Sequence, residues 1–304
     1  MLQIFKNTKY NFLGKSKLAI GCSLAFIGAS IIALVMHGGF NMSVDFAGGT
    51  TMQLKFQQPV RDDLGTIRNA IGELGFGQPE IKTVGLADNN EIQLTVRNQP
   101  EGVDMEGMIS SVLEASLPGN SFTVLRTESV GPKIGGELTR DTIIASLLAL
   151  LAILLYVSIR FKPSFAVASV VPLFHNVVVT LGVFAIFKLE LTLPFVAAVL
   201  TIIGYSLNDS IVVFDRLREN IKNGLRGRTF REVANTTINQ TLSRTVITTL
   251  TTLFTLIPLY ILGSDAIKDF ALALTVGVAV GTYSTIFVAT PILEWWHKKW
   301  PVVK

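Results

Sequence analysis

The chain has 304 residues, of which 49% are hydrophobic and 16% charged, and its mean hydropathy is +0.50. Apolar residues are enriched well beyond the content of most soluble domains, which excludes an ordinary soluble protein and indicates a membrane protein. The net charge of +4 does not indicate nucleic-acid binding, because the basic residues are concentrated in a few loops.

The first predicted membrane span covers about residues 18–36 and follows a lysine-rich start to the chain. A basic start before apolar residues also resembles a signal peptide, but this apolar stretch is too long and the following MHGGF offers no convincing cleavage site. We therefore interpret residues 1–37 as a cytoplasmic N-terminus and an uncleaved first span. The single Cys22 lies inside this span, so no intrachain disulfide is expected.

Residues 38–139 are the only long segment without a membrane span, and we expect them to form a domain outside the membrane. Strand-like alternation at 51–56, 80–86, 91–97 and 121–130 is interrupted by helical patterns at 61–75 and 104–117. The resulting order is βαββαβ, with a hairpin turn at ADNN (87–90). This order predicts a ferredoxin-like α+β domain between the first and second spans.

The external segment contains no cluster of His and Cys, no carboxylate pair beside a pocket-like motif and no phosphate-binding glycine loop. We therefore expect neither a catalytic residue nor a metal site there, and interpret it as a contact module. Glycine-rich stretches mark both of its ends, with Gly48 and Gly49 near its start and Gly131, followed by Pro132, near its end. These residues are hinge candidates at the membrane junction, although glycines in such positions are also typical of turns.

Five further spans are predicted within residues 140–292, and residues 293–304 form a tail. A helix that crosses a bilayer needs roughly 20 mainly apolar residues. The candidates are 142–159, 165–187, 190–212, 245–262 and 269–290. The chain is thus predicted to be an α-helical membrane protein with six transmembrane helices.

Clusters of basic residues predict the orientation of these spans. If the six spans alternate in direction, all the clusters fall on the same side of the membrane, and the positive-inside rule makes that side, with both termini, cytoplasmic. The clusters are Lys6 to Lys17, Arg160 with Lys162, the run from Arg216 to Arg231, and Lys298 with Lys299.

The longest of these basic segments lies near residues 216–240. Leu217, Ile221 and Leu225 recur at helical spacing with Arg and Lys between them. This pattern favours an amphipathic helix lying on membrane lipid at the inner surface. A solvated basic loop remains the alternative.

Asp209 is an ionisable residue at the end of the fourth span. It lies six residues before Asp215, where the chain leaves the membrane, which places it about 9 Å inside the boundary. A charge at such a depth costs several kcal/mol and usually has a partner inside the bundle. Arg244 stands at the start of the fifth span at a similar depth, so we predict that these two residues are paired.

Other polar residues of the spans are expected to support this pair. Gln240, Arg244, Thr248, Thr251 and Thr255 follow one another at helical spacing along the fifth span. The rest of the expected polar network consists of Tyr205, Ser206 and Asn208 in the fourth span and His175 and Asn176 in the third.

The sequence leaves two interpretations of the pair open. Asp209 and Arg244 either form a static salt bridge that holds the bundle, or act as a proton relay. In a relay, a conformational change alters their separation and thereby the affinity of the carboxyl for a proton. His175 is in either case more typical of a packed, hydrogen-bonded histidine than of a relay member.

Four stretches of the chain together resemble the signature blocks of the SecD/SecF family of protein translocase subunits, and in particular its SecF members. They are VDFAGGT (44–50), ESVGPKIGGEL (128–138), IGYSLNDSIVVFDRLREN (203–220) and QTLSRTVITT (240–249). The resemblance spans nearly the whole chain. It also implies a relation to the resistance-nodulation-division superfamily of transporters.

The resemblance implies a function, partners and a location. It implies a subunit that pairs with SecD, and often with a small YajC-like subunit, in the bacterial inner membrane. It also implies use of the proton gradient, with no bound cofactor, to pull a translocating polypeptide out of the SecYEG channel on the periplasmic side. Carried over by position, Asp209 and Arg244 match the family's membrane-embedded charged residues, and residues 38–139 match its periplasmic domain.

One position departs from the family pattern. The third-span block commonly has His followed by Asp, whereas this chain has His175 followed by Asn176. An asparagine cannot carry a proton but can form hydrogen bonds, which favours a role for Asn176 in a polar network over a role in a relay.

Two other functional classes compete with a translocase subunit as interpretations of the sequence. Half of a proton-driven exporter of small molecules or lipids, from the same superfamily, is the main alternative. An intramembrane hydrolase is disfavoured, because no serine with a nearby base and no paired carboxylates recur within the spans.

Overall fold

The computed structural model describes Phe5 and residues 8–84, 90–97, 102–222 and 227–300. Most of the predicted ADNN turn lies outside these residues, as do Lys6, Leu225 and the end of the predicted tail. The longer helices are α1 (Phe12–Met36), α3 (Leu64–Gly72), α4 (Met105–Ser116), α5 (Pro132–Arg160), α6 (Pro163–Ile186), α7 (Leu193–Lys222), α8 (Phe230–Leu262), α9 (Asp265–Ser284) and α10 (Thr290–Lys299). Shorter helical segments are α2 (Val44–Ala47) and a 3-10 turn at Arg61–Asp63. The strands are β1 (Asn41–Met42), β2 (Gly49–Phe56), β3 (Glu80–Val84), β4 (Glu91–Val96), β5 (Phe122–Val130) and β6 (Glu190–Leu191).

Six helical segments within the described ranges are long and apolar enough to cross a membrane, which confirms the six predicted spans. They are Phe12–Met36, Pro132–Arg160, Pro163–Ile186, Leu193–Lys222, Phe230–Leu262 and Ile267–Lys299. Most of these helices extend beyond the apolar stretch that marked them in the sequence. Helices often continue past the bilayer, because hydropathy limits only the part that lies in lipid.

Residues Met42–Ile144 form one of two compact units, which we call the external unit after its predicted location. Its four-stranded sheet has the spatial order β3-β4-β2-β5, and every neighbouring pair is antiparallel. Alternate residues of β2 and β4 point to the same side as the apolar faces of α3 and α4. Together they bury one core, which includes Met52, Leu54, Phe56, Ile67, Ile71, Ile92, Leu94, Val96, Ile109 and Leu113.

The sequence pattern placed a domain at residues 38–139, and the compact unit runs from Met42 to Ile144 inside α5. The first turns of α5 pack on the α2 segment. The Thr139 hydroxyl lies 3.4 Å from the Phe46 carbonyl oxygen, and a Cβ at Gly135 would lie 3.1 Å from the same oxygen. The close approach of two backbones at Gly135 therefore joins these turns to the external unit.

The second compact unit consists of Met1–Asn41 and Ala145–Lys304. Its centre is formed by α6, α7, α8 and α9, and Phe214 and Leu217 of α7 are fully buried there. In contrast, α1 and the membrane part of α5 expose most of their apolar side chains. Exposed apolar faces of this kind are suited to lipid or to another membrane protein.

The basic segment near 216–240 differs from the predicted surface helix. Its first part continues α7 to Lys222, and its last part is the start of α8 from Phe230, with Gly227 between them at φ +77°. Leu217 and Ile221, which the sequence pattern assigned to a lipid-facing side, are buried in the protein core. The segment is amphipathic, but its apolar face packs against protein and not against lipid.

The last membrane helix contains an irregularity. A π-helical segment, Thr285–Ala289, separates α9 from α10, and Pro291 stands in the first turn of α10. Proline has no N–H to donate to the preceding turn, which is a known cause of local unwinding. The Thr290 hydroxyl donates to the Thr285 carbonyl at 3.1 Å and satisfies one acceptor of this segment.

Candidate functional site

Asp209 lies on the buried side of α7, where 9% of its surface is exposed. Its Oδ1 atom accepts a hydrogen bond of 2.9 Å from the Thr245 hydroxyl of α8. This bond places Asp209 level with the Arg244–Thr245 peptide of α8.

The predicted pair of Asp209 and Arg244 is not a salt bridge. In the described part of the chain, Oδ1 is bonded to Thr245, and the buried Oδ2 has no hydrogen-bond donor. Arg244 is exposed on α8. The static interpretation left open above, a salt bridge that holds the bundle, is therefore wrong for this conformation.

Hydroxyl groups join α7, α8 and the last membrane helix around Asp209. The Ser210 and Thr285 hydroxyls are 3.1 Å apart, and those of Thr249 and Thr282 are 2.6 Å apart. Thr285 is the first residue of the π-helical segment, which thus lies beside the carboxyl. Such segments are frequent at functional sites, because they alter helix geometry locally.

A second polar cluster runs through the bundle from α1 to α7. His175 Nε2 is 3.0 Å from the Ser23 hydroxyl, and His175 Nδ1 is 3.2 Å from the Asn176 Oδ1. Asn176 Nδ2 donates to the Ser206 hydroxyl at 2.7 Å. Ser23 is also 2.9 Å from the hydroxyl of Tyr283, which donates to the Ala19 carbonyl. The structure thus brings His175, Asn176 and Ser206 together, as predicted, one turn from Asp209.

The donor and acceptor roles in this cluster couple the protonation of the His175 ring to the orientation of the Asn176 amide. The Tyr283 proton is donated to Ala19, so Ser23 donates to Tyr283, and His175 Nε2 must donate to Ser23. His175 Nδ1 lies against the Asn176 side-chain amide, whose oxygen and nitrogen exchange places on a half-turn; with the oxygen facing Nδ1, this ring nitrogen also donates and the ring is cationic. If the Asn176 amide rotates by half a turn, its nitrogen donates to Nδ1 and the ring is neutral. The charge of His175 and the direction of the Asn176 amide therefore change together.

Other predicted site residues lie on an exposed face of α7 and α8. Asn208, Arg244 and Thr248 are exposed, and Tyr205 is half-buried, 3.4 Å from the Thr252 hydroxyl. Thr248 donates only to backbone carbonyls of its own helix. We call this face the α7/α8 face; it comprises Ala197, Thr201, Gly204, Asn208, Gln240, Arg244, Thr248, Thr251 and Thr255.

The glycines at the start of the external unit are held in place. Gly48 and Gly49 have φ angles of +73° and +129°, which disfavour any other residue. A Cβ at Gly48 would press on Pro132, and one at Gly49 would press on the Val96 carbonyl and Arg97. Gly131, in contrast, has open space where a Cβ would lie. Gly48 and Gly49 thus form a tight packing point against Pro132 and the Val96–Arg97 backbone, whereas a side chain at Gly131 would have free space.

Several residues of the site were missed by the sequence analysis: Thr245, Ser23, Tyr283, Ser210 and Thr285. All are common helix-lining hydroxyl residues without a distinctive motif. The one local signal was Pro291, which follows Thr290 and marks the irregular segment. The described residues contain no group of three or more His, Cys, Asp or Glu side chains that could hold a metal ion.

Family profiles match two regions of the chain. The profile described as "Protein export membrane protein SecD/SecF, C-terminal" matches residues 111–299, and the "SecD/SecF GG Motif" matches residues 34–60. The second region includes the Gly48–Gly49 packing point, and the first includes Asp209, Thr245 and the π-helical segment.

Curated relatives resemble the chain over nearly its full length. It is 39% identical to the protein translocase subunit SecF of Gemmatimonas aurantiaca, covering 99% of this chain and 91% of that protein. It is 42% identical to SecF of Magnetococcus marinus, covering 96% of this chain and 94% of that protein. The protein translocase subunit SecDF of Thermus thermophilus is 40% identical over 96% of this chain, which spans only 39% of the relative.

Solved structures also resemble the chain over nearly its full length. A crystal structure of Thermus SecDF, described as a translocon-associated membrane protein, matches with a TM-score of 0.85 and 38% identity. The match covers 98% of this chain and 40% of that protein. SecDF in a super-membrane-facing form matches with a TM-score of 0.69, also at 38% identity, over 97% of this chain and 40% of that protein.

Proposed function

The chain belongs to the SecD/SecF family of protein export membrane proteins, and from this premise we propose that it is the SecF-type subunit of a complex that promotes protein translocation. It is a multi-pass membrane protein of the Sec pathway. The complex uses the proton motive force and works on polypeptides that leave the SecYEG channel on the periplasmic side. A YajC-like subunit is a further proposed member.

We propose SecD as the direct partner. The Thermus relative named SecDF is more than twice as long as the part that matches this chain, so a second half accompanies the SecF half in that protein. In this chain, the α7/α8 face supports the assignment. It combines small residues with an exposed Arg244 at the start of the apolar part of α8, and an arginine facing lipid alone costs on the order of 2.5 to 3.5 kcal/mol.

Asp209 is the proposed proton carrier, and one observation supports this most directly. Its Oδ2 atom is buried without a hydrogen-bond donor, while Oδ1 is held by Thr245. A buried carboxylate oxygen without a donor is costly, and binding a proton at this atom removes the charge. Movement of the exposed Arg244 toward or away from the carboxyl, driven by the partner, then favours release or uptake of the proton.

Residues of the external unit are proposed to form a ferredoxin-like periplasmic domain. The sheet order β3-β4-β2-β5, with all pairs antiparallel and a helix before β3 and before β5, supports this assignment. Both termini are proposed to be cytoplasmic and the membrane to be the bacterial inner membrane. The proposed role is transport without an enzymatic step or a bound cofactor, and the external domain contacts the translocating polypeptide.

The test is translocation of a secretory protein in vesicles that contain SecYEG, the SecD partner and this chain. The Asp209→Asn variant is expected to abolish stimulation by the proton gradient while it still co-purifies with the partner. Asp215→Asn is a matched control, since Asp215 is an exposed acid six residues further along α7. Full gradient stimulation with Asp209→Asn would refute the proposed carrier.

A further inference from the structure

A cavity of about 1040 Å3 opens where the start of α1 meets the end of α7 and the first turns of α8. Its lining includes Phe5, Lys9 and Tyr10 before α1, Arg216 on α7, and Arg231 on α8. None of these residues takes part in the proposed proton site. The cavity is therefore a separate feature of the basic end of the bundle.

The walls of this cavity are fixed by hydrogen bonds from one face of α8 to the chain before α1 and to the first turn of α1. Asn239 accepts from the Tyr10 N–H at 3.0 Å and donates to the Tyr10 carbonyl at 2.9 Å. One turn earlier, Asn235 accepts from the Leu13 N–H at 3.1 Å, and Arg231 donates to the Leu13 carbonyl at 2.6 Å. Three side chains at a spacing of four residues thus hold the N-terminal segment against α8.

The position of the cavity along the membrane normal follows from its lining. Its N-terminal wall, residues 8–11, directly precedes α1, and its α8 wall ends at Ser243, before the apolar part of that helix begins. Helices of a membrane protein enter the bilayer where their apolar stretch starts, so the cavity lies at the level of the lipid headgroups. Tyr10, 57% exposed, is an aromatic residue typical of that level.

The charged side chains that line the cavity favour binding of an anion. In the described part of the lining, the cations are Lys9, Arg216 and Arg231, and the only acid is Glu232. Arg216 also forms an ion pair of 2.6 Å with Glu219, which lies outside the lining, so part of its charge is compensated. The Glu232 carboxylate accepts from the Thr229 N–H at 2.8 Å and is engaged in the cap of α8. Guanidinium and ammonium groups that converge at one opening are suited to the oxygens of a phosphate.

We propose that this cavity binds the phosphate of an anionic phospholipid from the adjoining leaflet. Lys9, Arg216 and Arg231 surround the phosphate, and the glycerol and upper acyl chain lie against Phe5 and Tyr10. The lipid connects the segment before α1 to α7 and α8, which carry Asp209 and Thr245. This binding site is independent of the proposed proton chemistry.

The test uses the purified full chain in detergent, titrated with phosphatidylglycerol or phosphatidylcholine and followed by native mass spectrometry. The double variant Lys9→Gln/Arg216→Gln is expected to bind phosphatidylglycerol about 25-fold more weakly, because each cation near an anionic headgroup contributes about fivefold in affinity. Lys9→Arg keeps the charge and is expected to bind as the unmodified chain does.

The matched control is Lys15→Gln/Arg218→Gln, which removes two charges at the same end of the bundle outside the cavity lining. It is expected to retain affinity within about twofold. Equal losses in both double variants would show diffuse attraction and overturn the proposal, as would equal affinity for phosphatidylcholine. Displacement of the lipid by millimolar inorganic phosphate would reassign the site to a free anion and also overturn it.

Discussion

Asp209 has two oxygen atoms in different surroundings, and this difference determines what the residue can do. Thr245 fixes the rotation of the carboxyl by bonding Oδ1, which leaves Oδ2 as the atom that can receive a proton. Arg244 and Thr245 are adjacent in the chain, yet their side chains point about 100° apart around α8. One therefore bonds the carboxyl, and the other lies on the exposed α7/α8 face.

Thr245→Val is expected to reduce gradient-stimulated translocation by tenfold or more. The substitution keeps the shape of the side chain but removes the donor to Oδ1, and a hydrogen bond to a charged group contributes about 1.5 to 3 kcal/mol. Translocation in the vesicle assay described above measures the effect. Thr245→Ser retains the hydroxyl and should restore activity, and Thr248→Val, which loses only bonds to its own helix, should be neutral. Unimpaired stimulation in Thr245→Val would show that the bond is dispensable.

Asn176→Leu is expected to destabilise the purified chain, whereas Asn176→Asp is expected to be tolerated. Asn176 is fully buried and bonds the half-buried His175 and the buried Ser206, so leucine removes a partner from each, at about 1 to 3 kcal/mol for a polar group that stays buried without one. Aspartate can accept from both neighbours. The thermal unfolding midpoint in detergent measures this difference, and the exposed Asn208→Leu is the control. A midpoint for Asn176→Leu equal to that of the control would contradict the role of the cluster.

Among the structural elements, α5 is shared between the two compact units of the chain. Its first turns pack on α2 through Gly135 and Gly48, and its later turns form a membrane span. The sequence left open whether the glycines of this region are hinges or turns. The positive φ angles of Gly48 and Gly49 and the lack of space around them favour a rigid packing point.

Gly49→Ala is therefore expected to destabilise the external unit by about 2 kcal/mol or more, because alanine disfavours this backbone conformation and its Cβ meets the Val96 carbonyl. Gly131→Ala has open space and should change stability by less than about 0.5 kcal/mol. Limited proteolysis of the full chain across a urea series would compare the two. Equal resistance of both variants would show that Gly49 is not a tight packing point.

At the scale of the whole molecule, local patterns predicted the architecture well. Hydropathy identified all six spans, and alternating and helical periodicities identified the strands and helices of the external unit, since these signals depend on neighbouring residues. The hydrogen bonds of the site were harder to predict. The bond from Thr245 depends on the rotation of α8 about its axis, and the contact of Ser23 with Tyr283 joins residues 260 positions apart. The spacing of residues along one helix predicts neither the rotation of that helix nor its contacts with distant residues.

The α7/α8 face is expected to be the surface that contacts the SecD partner. Small side chains at Ala197, Thr201 and Gly204 allow another helix to approach closely, so a bulky side chain on this face should block the contact. Thr201→Trp is expected to reduce co-purification of the partner at least tenfold. Leu147→Trp, on the exposed apolar side of α5, is the matched control and should leave it unchanged. Because both variants place tryptophan on an exposed membrane surface, neither should impair folding, and undiminished co-purification with Thr201→Trp would place the partner on another face.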